Sequence, residues 1–145
     1  MTVTFCGHGK INYNKKTEDE LKFWVEKMIK SGADEFLLGG YGNFDSVAAK
    51  VVRELKEKYP YIRLTLVVPY IDRKYNKELY DESIYPELEN VPKRFAIIKR
   101  NEYMVDMSDI VIAYIDCDFG GAVKTLKYAR KIGKQIIRLN VGIRS

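Results

Sequence analysis

Short apolar segments alternate with longer segments of helical period along almost the whole chain. Apolar strands are predicted at residues 3–6, 35–38, 62–68, 109–115 and 135–139. The segments between them repeat apolar residues at intervals of three and four, which is typical of amphipathic helices. Strands that alternate with helices form a parallel sheet with helices on both faces. The sequence therefore predicts a Rossmann-like three-layer α/β/α sandwich with a five-stranded parallel sheet, most simply in the order 3-2-1-4-5.

Length and composition fit one globular domain spanning residues 1–145. Apolar residues make up 46% of the 145 positions and charged residues 31%, which are ordinary fractions for a folded domain. The longest apolar run, from Ile110 to Ile115, is too short to span a bilayer. Met1 leads directly into a strand without a signal-peptide pattern, so we expect a cytoplasmic protein that does not associate with membranes.

The charge and the cysteine and histidine counts restrict the classes of partner. The net charge of +5 is spread over the chain, which disfavours a dedicated nucleic-acid surface. Two cysteines, Cys6 and Cys117, make no disulfide framework. The single histidine, His8, excludes a His-rich metal site and disfavours a mixed one. We therefore expect neither a metal nor a cofactor.

Three glycine-containing turns follow predicted strands. They are Cys6-Gly7-His8-Gly9, Gly39-Gly40-Tyr41-Gly42-Asn43 and Asp118-Phe119-Gly120-Gly121. In the predicted order they meet at the C-terminal ends of neighbouring strands, where such sheets bind ligands. The second and third turns lead into helices, whose N-terminal N–H groups suit phosphate. The alternative is that tight turns need glycine for steric reasons alone.

Two common nucleotide motifs are absent. The segment Gly40-x-Gly42-x-x-Asp45 follows the second strand and has an aspartate where the dinucleotide fingerprint has its third glycine. The chain also contains no GxxxxGK[ST] segment, which excludes a P-loop. A classical NAD-dependent dehydrogenase is therefore disfavoured.

Two charged residues are candidates for ligand contact. Asn43 is a predicted N-cap, so Asp45 lies in the first turn of a helix. Its carboxylate is either stabilised there by the helix dipole alone or accepts hydrogen bonds from ribose hydroxyls of a ligand. Arg100 lies at the edge of the apolar face of a helix predicted at residues 94–108. A guanidinium there pairs either with a phosphate of the ligand or internally with Asp109 or Asp116.

Two further local features carry expectations. Residues 17–20 have the capping-box pattern Thr-Glu-Asp-Glu, which predicts a helix N-terminus. Residues 70–92 are irregular and predict a loop with one short helix near 76–81. That loop is either a lid or a plain surface excursion.

Three segments of the chain form a pattern: Gly39–Asp45, the run Arg100-Asn101-x-x-Met104-Val105-Asp106-x-Ser108-Asp109, and Gly120-Gly121 with Tyr128-Ala129. Together they resemble the SLOG superfamily, most closely its YpsA-like branch. The resemblance covers nearly the whole chain. It implies a Rossmann-like domain that binds a nucleotide or nucleotide-derived signal, in some members an ADP-ribose derivative, often as a dimer.

The same superfamily includes the Lonely Guy phosphoribohydrolases, whose pattern is Gly-Gly-x-Gly-Thr-x-x-Glu with an upstream arginine. Arg100 fits that arginine. Val123, Lys124 and Lys127 stand where the family has glycine, threonine and glutamate. The missing glutamate argues against that hydrolysis.

The leading hypothesis is a binding protein for a nucleotide-derived small molecule, with Tyr41 or Phe119 stacking on a base. The alternatives are an N-glycosidic hydrolase and, third, a nucleic-acid-binding domain. The candidate catalytic residues are Asp45, Arg100 and Asp116. The predicted ligand-binding residues are Cys6, Gly7, His8, Gly39, Gly40, Tyr41, Gly42, Asn43, Asp45, Arg100, Asn101, Met104, Asp118, Phe119, Gly120 and Gly121.

Overall fold

The computed structural model of the protein describes residues 1–142 and has a parallel sheet at its centre. The strands are β1 (Thr2–Gly7), β2 (Glu35–Leu38), β3 (Arg63–Val67), β4 (Glu82–Ile84), β5 (Ile110–Tyr114) and β6 (Gln135–Arg138). They lie in the order β4-β3-β2-β1-β5-β6, and each neighbouring pair is parallel. The last three residues of the predicted domain lie outside the described part of the chain.

The prediction of five strands in the order 3-2-1-4-5 was wrong, because the sheet has a sixth strand at its edge. β4 pairs with β3 and comes from the segment predicted as a loop. It is three residues long, and none of its side chains is fully buried. Such a strand lacks the apolar run on which strand prediction depends. The five expected strands keep the neighbours predicted for them.

Helices cover both faces of the sheet, which confirms the predicted α/β class. They are α1 (Lys15–Lys30), α2 (Gly42–Lys58), α3 (Ala96–Asp106) and α4 (Gly121–Lys131). α1 packs against α2 and α3 against α4. Phe5 and Phe36 join the core under α1 and α2, whereas Cys6 and Val111 join the core under α4. None of the helices within residues 1–142 is long and apolar enough to cross a membrane.

Two predicted helix starts were wrong. α1 begins before the expected capping box, because the Oδ1 atom of Asn14 accepts a 2.8 Å hydrogen bond from the Thr17 N–H. Asn14 is therefore the N-cap, and Thr17 lies buried in the first turn. α2 begins at Gly42 with Tyr41 at the N-cap, so Asn43 is inside the helix. The backbone N–H of Asn43 instead donates a 2.8 Å hydrogen bond to the Gly9 carbonyl.

Residues 70–92 run along the edge of the sheet beside β3. They contain a 3₁₀ turn at Lys77–Leu79, which agrees with the short helix expected near 76–81, and then β4. Asp81 fixes the segment at this edge, since its Oδ2 atom accepts the Leu64 N–H at 2.8 Å and its own N–H donates to the Leu64 carbonyl at 2.8 Å. The segment therefore extends the sheet, and it does not line the main cavity described below.

Candidate functional site

A cavity of about 710 Å³ opens at the C-terminal ends of β1 and β5. Eleven of the predicted ligand-binding residues line it: Cys6, Gly7, His8, Tyr41, Asp45, Arg100, Asn101, Met104, Phe119, Gly120 and Gly121. Five do not: Gly39, Gly40, Gly42, Asn43 and Asp118. The structure thus brings the first and third glycine turns to one cavity, together with Tyr41 of the second turn, Asp45 and α3.

Seven lining residues were not among the predicted ligand-binding residues, although Gly9 belongs to the predicted turn after β1: Phe5, Gly9, Lys10, Ile97, Cys117, Ala122 and Thr125. Most of them directly adjoin a predicted turn. Ile97 precedes Asn101 by four residues and Met104 by seven, so helical spacing alone places it on their face. Lys10 adds an exposed cation to the cavity wall.

Arg100 is buried, with 4% of its surface exposed, and it binds backbone carbonyls. Its Nη1 atom donates hydrogen bonds of 3.0 Å to the Gly39 and the Val67 carbonyls, at the ends of β2 and β3. Its Nε atom donates to the Asn101 side chain at 2.9 Å. Burial lowers the pKa of Arg100, and the nearby Asp45 opposes that effect. The guanidinium thus fastens two strand ends while one side of it borders the cavity.

The expected internal partners of Arg100 make other contacts. Asp109 accepts a 2.9 Å hydrogen bond from the Thr2 N–H. Asp116 Oδ1 lies 3.4 Å from His8 Nε2. The alternative of an internal pair with Asp109 or Asp116 is therefore not what the structure shows, because the carbonyls at the strand ends bind the buried guanidinium instead.

The glycine turn after β2 packs against the turn after β1. A Cβ atom on Gly42 would lie 2.5 Å from Gly9 Cα, and Gly42 has a φ of +87°. A Cβ on Gly39 would lie 2.7 Å from Arg100 Cζ. These glycines therefore allow the backbone and the guanidinium to approach closely. For the turn after β2, this agrees with the alternative that tight turns need glycine for steric reasons.

Asp45 holds the turn after β2 from inside α2. Its Oδ2 atom accepts a 3.0 Å hydrogen bond from the Tyr41 N–H. Burial raises the pKa of Asp45 from 3.8 to about 6, although the hydrogen bond from Tyr41 and the charge of Arg100 oppose the shift. The half-buried carboxyl group borders the cavity, so it is a titratable group at the site.

The N-terminus of α4 has no side-chain cap. Gly120 is its N-cap, with a φ of +102°, and no side chain accepts its first N–H groups. A Cβ atom at Gly120 or Gly121 would meet no other atom within 4 Å, so this end of the helix is open. Both glycines and Ala122 line the cavity. The positive end of a helix dipole and its free N–H groups are therefore presented to the cavity.

Two exposed aromatic side chains stand at the cavity. Tyr41 is 74% exposed and Phe119 is 70% exposed, although both line it. Large apolar side chains that remain this exposed beside a cavity offer flat faces on which a planar group can stack. Asp118 and Lys127 line an adjoining cavity of about 440 Å³.

The two cysteines lie in different surroundings. The buried Cys6 thiol donates a hydrogen bond to the Ala122 carbonyl at 2.9 Å, and burial raises its pKa to about 12. Cys117 Sγ lies 3.5 Å from His8 Nε2. Both cysteines are free thiols.

Comparison with known proteins decides the family. The model of the YpsA family, described as the YspA SLOG family, matches residues 8–136. The chain belongs to this SLOG family. The match confirms the resemblance seen in the sequence motifs.

Relatives of this SLOG protein occur in bacilli. The SPbeta prophage-derived protein YoqJ of Bacillus subtilis is 28% identical over 150 aligned positions, which cover 86% of this chain and 88% of YoqJ. A UPF0398 protein of Bacillus pumilus is 27% identical over 119 positions, covering 72% of this chain and 63% of the relative. The chain thus spans less than two thirds of that relative.

Solved structures share the fold. DNA processing protein A from Helicobacter pylori, which binds single-stranded DNA, has a TM-score of 0.70 at 17% identity, covering 100% of this chain and 67% of its own. The molybdenum cofactor carrier protein of Chlamydomonas reinhardtii has a TM-score of 0.63 at 16% identity, covering 94% and 74%. At these identities the likeness is one of fold.

Proposed function

We propose that the 710 Å³ cavity binds a nucleotide or a nucleotide-derived small molecule. The observation that carries the proposal is the uncapped N-terminus of α4, which opens into the cavity at Gly120 and Gly121. Free N–H groups at the positive end of a helix dipole are a common phosphate site. Phosphate recognition is the chemistry that this arrangement fits best.

The remaining walls suit the other parts of a nucleotide. Cavities for small ligands and cofactors occupy roughly 300–1,000 Å³, so the volume is adequate. The exposed rings of Tyr41 and Phe119 would stack on a base, and Asp45 would accept hydrogen bonds from ribose hydroxyls. Lys10 would add positive charge near the phosphate.

Arg100 has a different part in this proposal from the direct phosphate contact that the sequence suggests. Its Nη1 atom is already bound to two backbone carbonyls. It would hold the ends of β2 and β3 in place and contribute charge to the cavity wall. Loss of binding in an Arg100 variant would therefore reflect both charge and folding, so other residues give the cleaner test.

Isothermal titration calorimetry with AMP, ADP, ADP-ribose and inorganic phosphate tests the proposal. The informative variant is Gly121→Asp, because a carboxylate there suits the helix dipole but repels a phosphate. We expect nucleotide affinity to fall about tenfold or more, equivalent to about 1.4 kcal/mol. Gly121→Ala is the matched control, because it adds a Cβ without a charge, so a larger loss of affinity in Gly121→Asp than in Gly121→Ala isolates the repulsion of phosphate.

Two outcomes would overturn the proposal. One is that no member of the panel binds. The other is that only oligonucleotides bind, with an affinity that falls steeply with salt, because that dependence marks a nucleic-acid-binding surface.

The stacking role has its own variants. Tyr41→Ala and Phe119→Ala should each weaken binding of nucleotides and leave binding of inorganic phosphate unchanged. Phe23→Ala is the control, because Phe23 is an exposed aromatic residue on α1 that does not line the cavity. If Tyr41→Ala and Phe119→Ala bind nucleotides as tightly as the control Phe23→Ala, base stacking is not part of the site.

N-glycosidic hydrolysis is the second candidate, and the raised pKa of Asp45 favours it. A carboxyl group with a pKa of about 6 can act as an acid or a base near neutral pH. A carboxylate also stabilises the oxocarbenium character that develops at ribose. Asp116 and Asp118 do not line the main cavity, so Asp45 is the candidate that remains there.

Incubation with nucleoside monophosphates and chromatography for free base separates the two functions. Turnover that disappears in Asp45→Asn would support hydrolysis. Binding without release of base at high protein concentration would leave the protein as a binder. Asp118→Asn is the control carboxylate, because Asp118 is exposed outside this cavity.

A further inference from the structure

We propose that His8, Asp116 and Cys117 form a binding site for a divalent transition-metal ion of the zinc class. One ligand atom from each residue lies within 4.8 Å of the other two. Counting histidines in the sequence predicted no metal site. The structure gathers the single histidine with a carboxylate and a thiol, which a count of one residue type does not detect.

The distances agree with coordination of one ion. His8 Nε2 lies 3.4 Å from Asp116 Oδ1 and 3.5 Å from Cys117 Sγ. With zinc bonds of about 2.0–2.1 Å to nitrogen and oxygen and about 2.3 Å to sulfur, ligand atoms at tetrahedral angles stand about 3.4 and about 3.5 Å apart. The same ring nitrogen thus has both neighbours at the separations that a shared tetrahedral ion requires.

Strand pairing places the three ligands together. β1 and β5 are adjacent and parallel, with Gly7 opposite Tyr114. His8 follows β1 directly, and Asp116 and Cys117 follow one residue after the paired stretch of β5. The site therefore stands at the C-terminal ends of two adjacent strands inside the sheet, and ligands that directly follow rigid elements are held precisely.

The surroundings also suit a cation. His8 is 8% exposed and Asp116 is 3% exposed, so the imidazole and carboxyl groups are held away from water. Buried charged groups in proteins are paired or coordinate metals. A thiol, an imidazole and a carboxylate favour zinc and its neighbours over magnesium or calcium, which prefer oxygen ligands.

Three protein ligands leave a fourth coordination position. His8 and Cys117 line the 710 Å³ cavity, and Cys117 and Asp116 line the adjoining 440 Å³ cavity, so the open position can be reached from a cavity. Water or an oxygen atom of a molecule in the cavity would occupy it. Coordination requires the Cys117 thiol to release its proton to solvent, and no oxidation is involved.

Cobalt titration of the full chain, with any affinity tag removed, tests the site directly. Co²⁺ replaces Zn²⁺ in such sites and shows a thiolate-to-cobalt absorption band in the near ultraviolet. We expect one Co²⁺ per chain, an intense band, and displacement of the cobalt by equimolar Zn²⁺. Absence of saturable binding in the wild-type protein would overturn the proposal, and this readout is independent of whether nucleotides bind.

Matched variants assign the ligands. Cys117→Ser should remove the thiolate band, whereas Cys6→Ser should retain it, because the Cys6 thiol is directed to the Ala122 carbonyl. His8→Gln and Asp116→Asn should weaken Zn²⁺ binding by at least about tenfold. Asp118→Asn, two residues from Asp116 and exposed, should not.

A band that survives Cys117→Ser and is lost in Cys6→Ser would contradict the assignment. Circular dichroism establishes which variants fold. If a buried variant does not fold, the wild-type titration and Cys117→Ser still decide, because Cys117 is only partly buried.

Discussion

Arg100 Nη1 donates a 3.0 Å hydrogen bond to the carbonyl oxygen of Gly39, and the guanidinium lies where a Gly39 side chain would begin. The same nitrogen binds the Val67 carbonyl. A charged group from α3 thus joins the C-terminal ends of two strands at the edge of the cavity. The contact requires both an arginine on the helix and a glycine after the strand.

Gly39→Ala should destabilise the protein, because the new Cβ would lie 2.7 Å from Arg100 Cζ and displace the guanidinium from the Gly39 and Val67 carbonyls. We expect a loss of about 1–3 kcal/mol in the free energy of unfolding, measured with urea. Gly121→Ala is the control and should change stability by less than about 0.5 kcal/mol, because its Cβ meets no atom within 4 Å. If Gly39→Ala changes the free energy of unfolding no more than Gly121→Ala does, the Arg100 side chain moves aside without a loss of stability.

Arg100→Ala should cost at least about 2 kcal/mol, because it removes the donor from two buried carbonyl groups. Arg100→Lys should recover only part of this, since an ammonium lacks the planar fork of donors. Lys99→Ala on the same helix is the control, and its exposed pair with Glu102 predicts a change within about 0.5 kcal/mol. A stable Arg100→Ala variant would contradict the strand-fastening role.

Gly42→Ala and Gly120→Ala separate backbone strain from steric clash. Both residues have positive φ angles, +87° and +102°, but only at Gly42 would a Cβ meet backbone, at 2.5 Å from Gly9 Cα. We expect Gly120→Ala to cost about 1 kcal/mol and Gly42→Ala distinctly more. Similar melting temperatures for the two variants would show that the two turns are not tightly packed.

Titration of Asp45 should lower stability as the pH rises from about 4 to about 6. Its pKa is raised from 3.8 to about 6 in the folded protein, so between these values the folded state holds the proton more firmly than the unfolded state. The contribution is therefore most favourable below pH 4 and is lost above pH 6. Asp45→Asn should remove this dependence and gain up to about 3 kcal/mol at pH 7 relative to wild type.

The measurement for Asp45 is urea denaturation between pH 4 and pH 8, with Asp118→Asn as a control carboxyl variant. An asparagine can still accept the hydrogen bond from the Tyr41 N–H, so the turn is retained. If the wild-type and Asp45→Asn profiles run parallel, burial does not shift the pKa of this group.

Asp81→Ala should release the edge strand β4. The Asp81 side chain accepts the Leu64 N–H and pairs with Lys56, so its loss removes these two contacts and leaves the backbone hydrogen bond from the Asp81 N–H to the Leu64 carbonyl. We expect faster hydrogen exchange at residues 82–84 and a global loss of about 1 kcal/mol. Glu82→Ala removes only an exposed pair with Arg63 and should leave exchange unchanged. Uniform exchange in both variants would contradict the role of Asp81.

The sequence predicted the apolar strands well, because strands buried on both faces are continuous apolar runs. β5 is the clearest example, with every residue buried. β4 escaped prediction because Glu82 and Ser83 are polar and exposed. The start of α1 was misplaced because Asn14 competes with Thr17 for the same capping role, and only the folded backbone shows which side chain accepts the bond.

The sequence by itself determined the alternation of strands and helices, the motifs of the family, and the glycine turns near the cavity, since each depends on local pattern. Only the tertiary structure decided what the glycine turn after β2 and Arg100 do. Gly42 packs against Gly9, and Arg100 donates hydrogen bonds to the Gly39 and Val67 carbonyls. In each contact the partners are far apart in the sequence. Contacts between distant segments depend on how the sheet assembles, and spacing along the chain does not encode them.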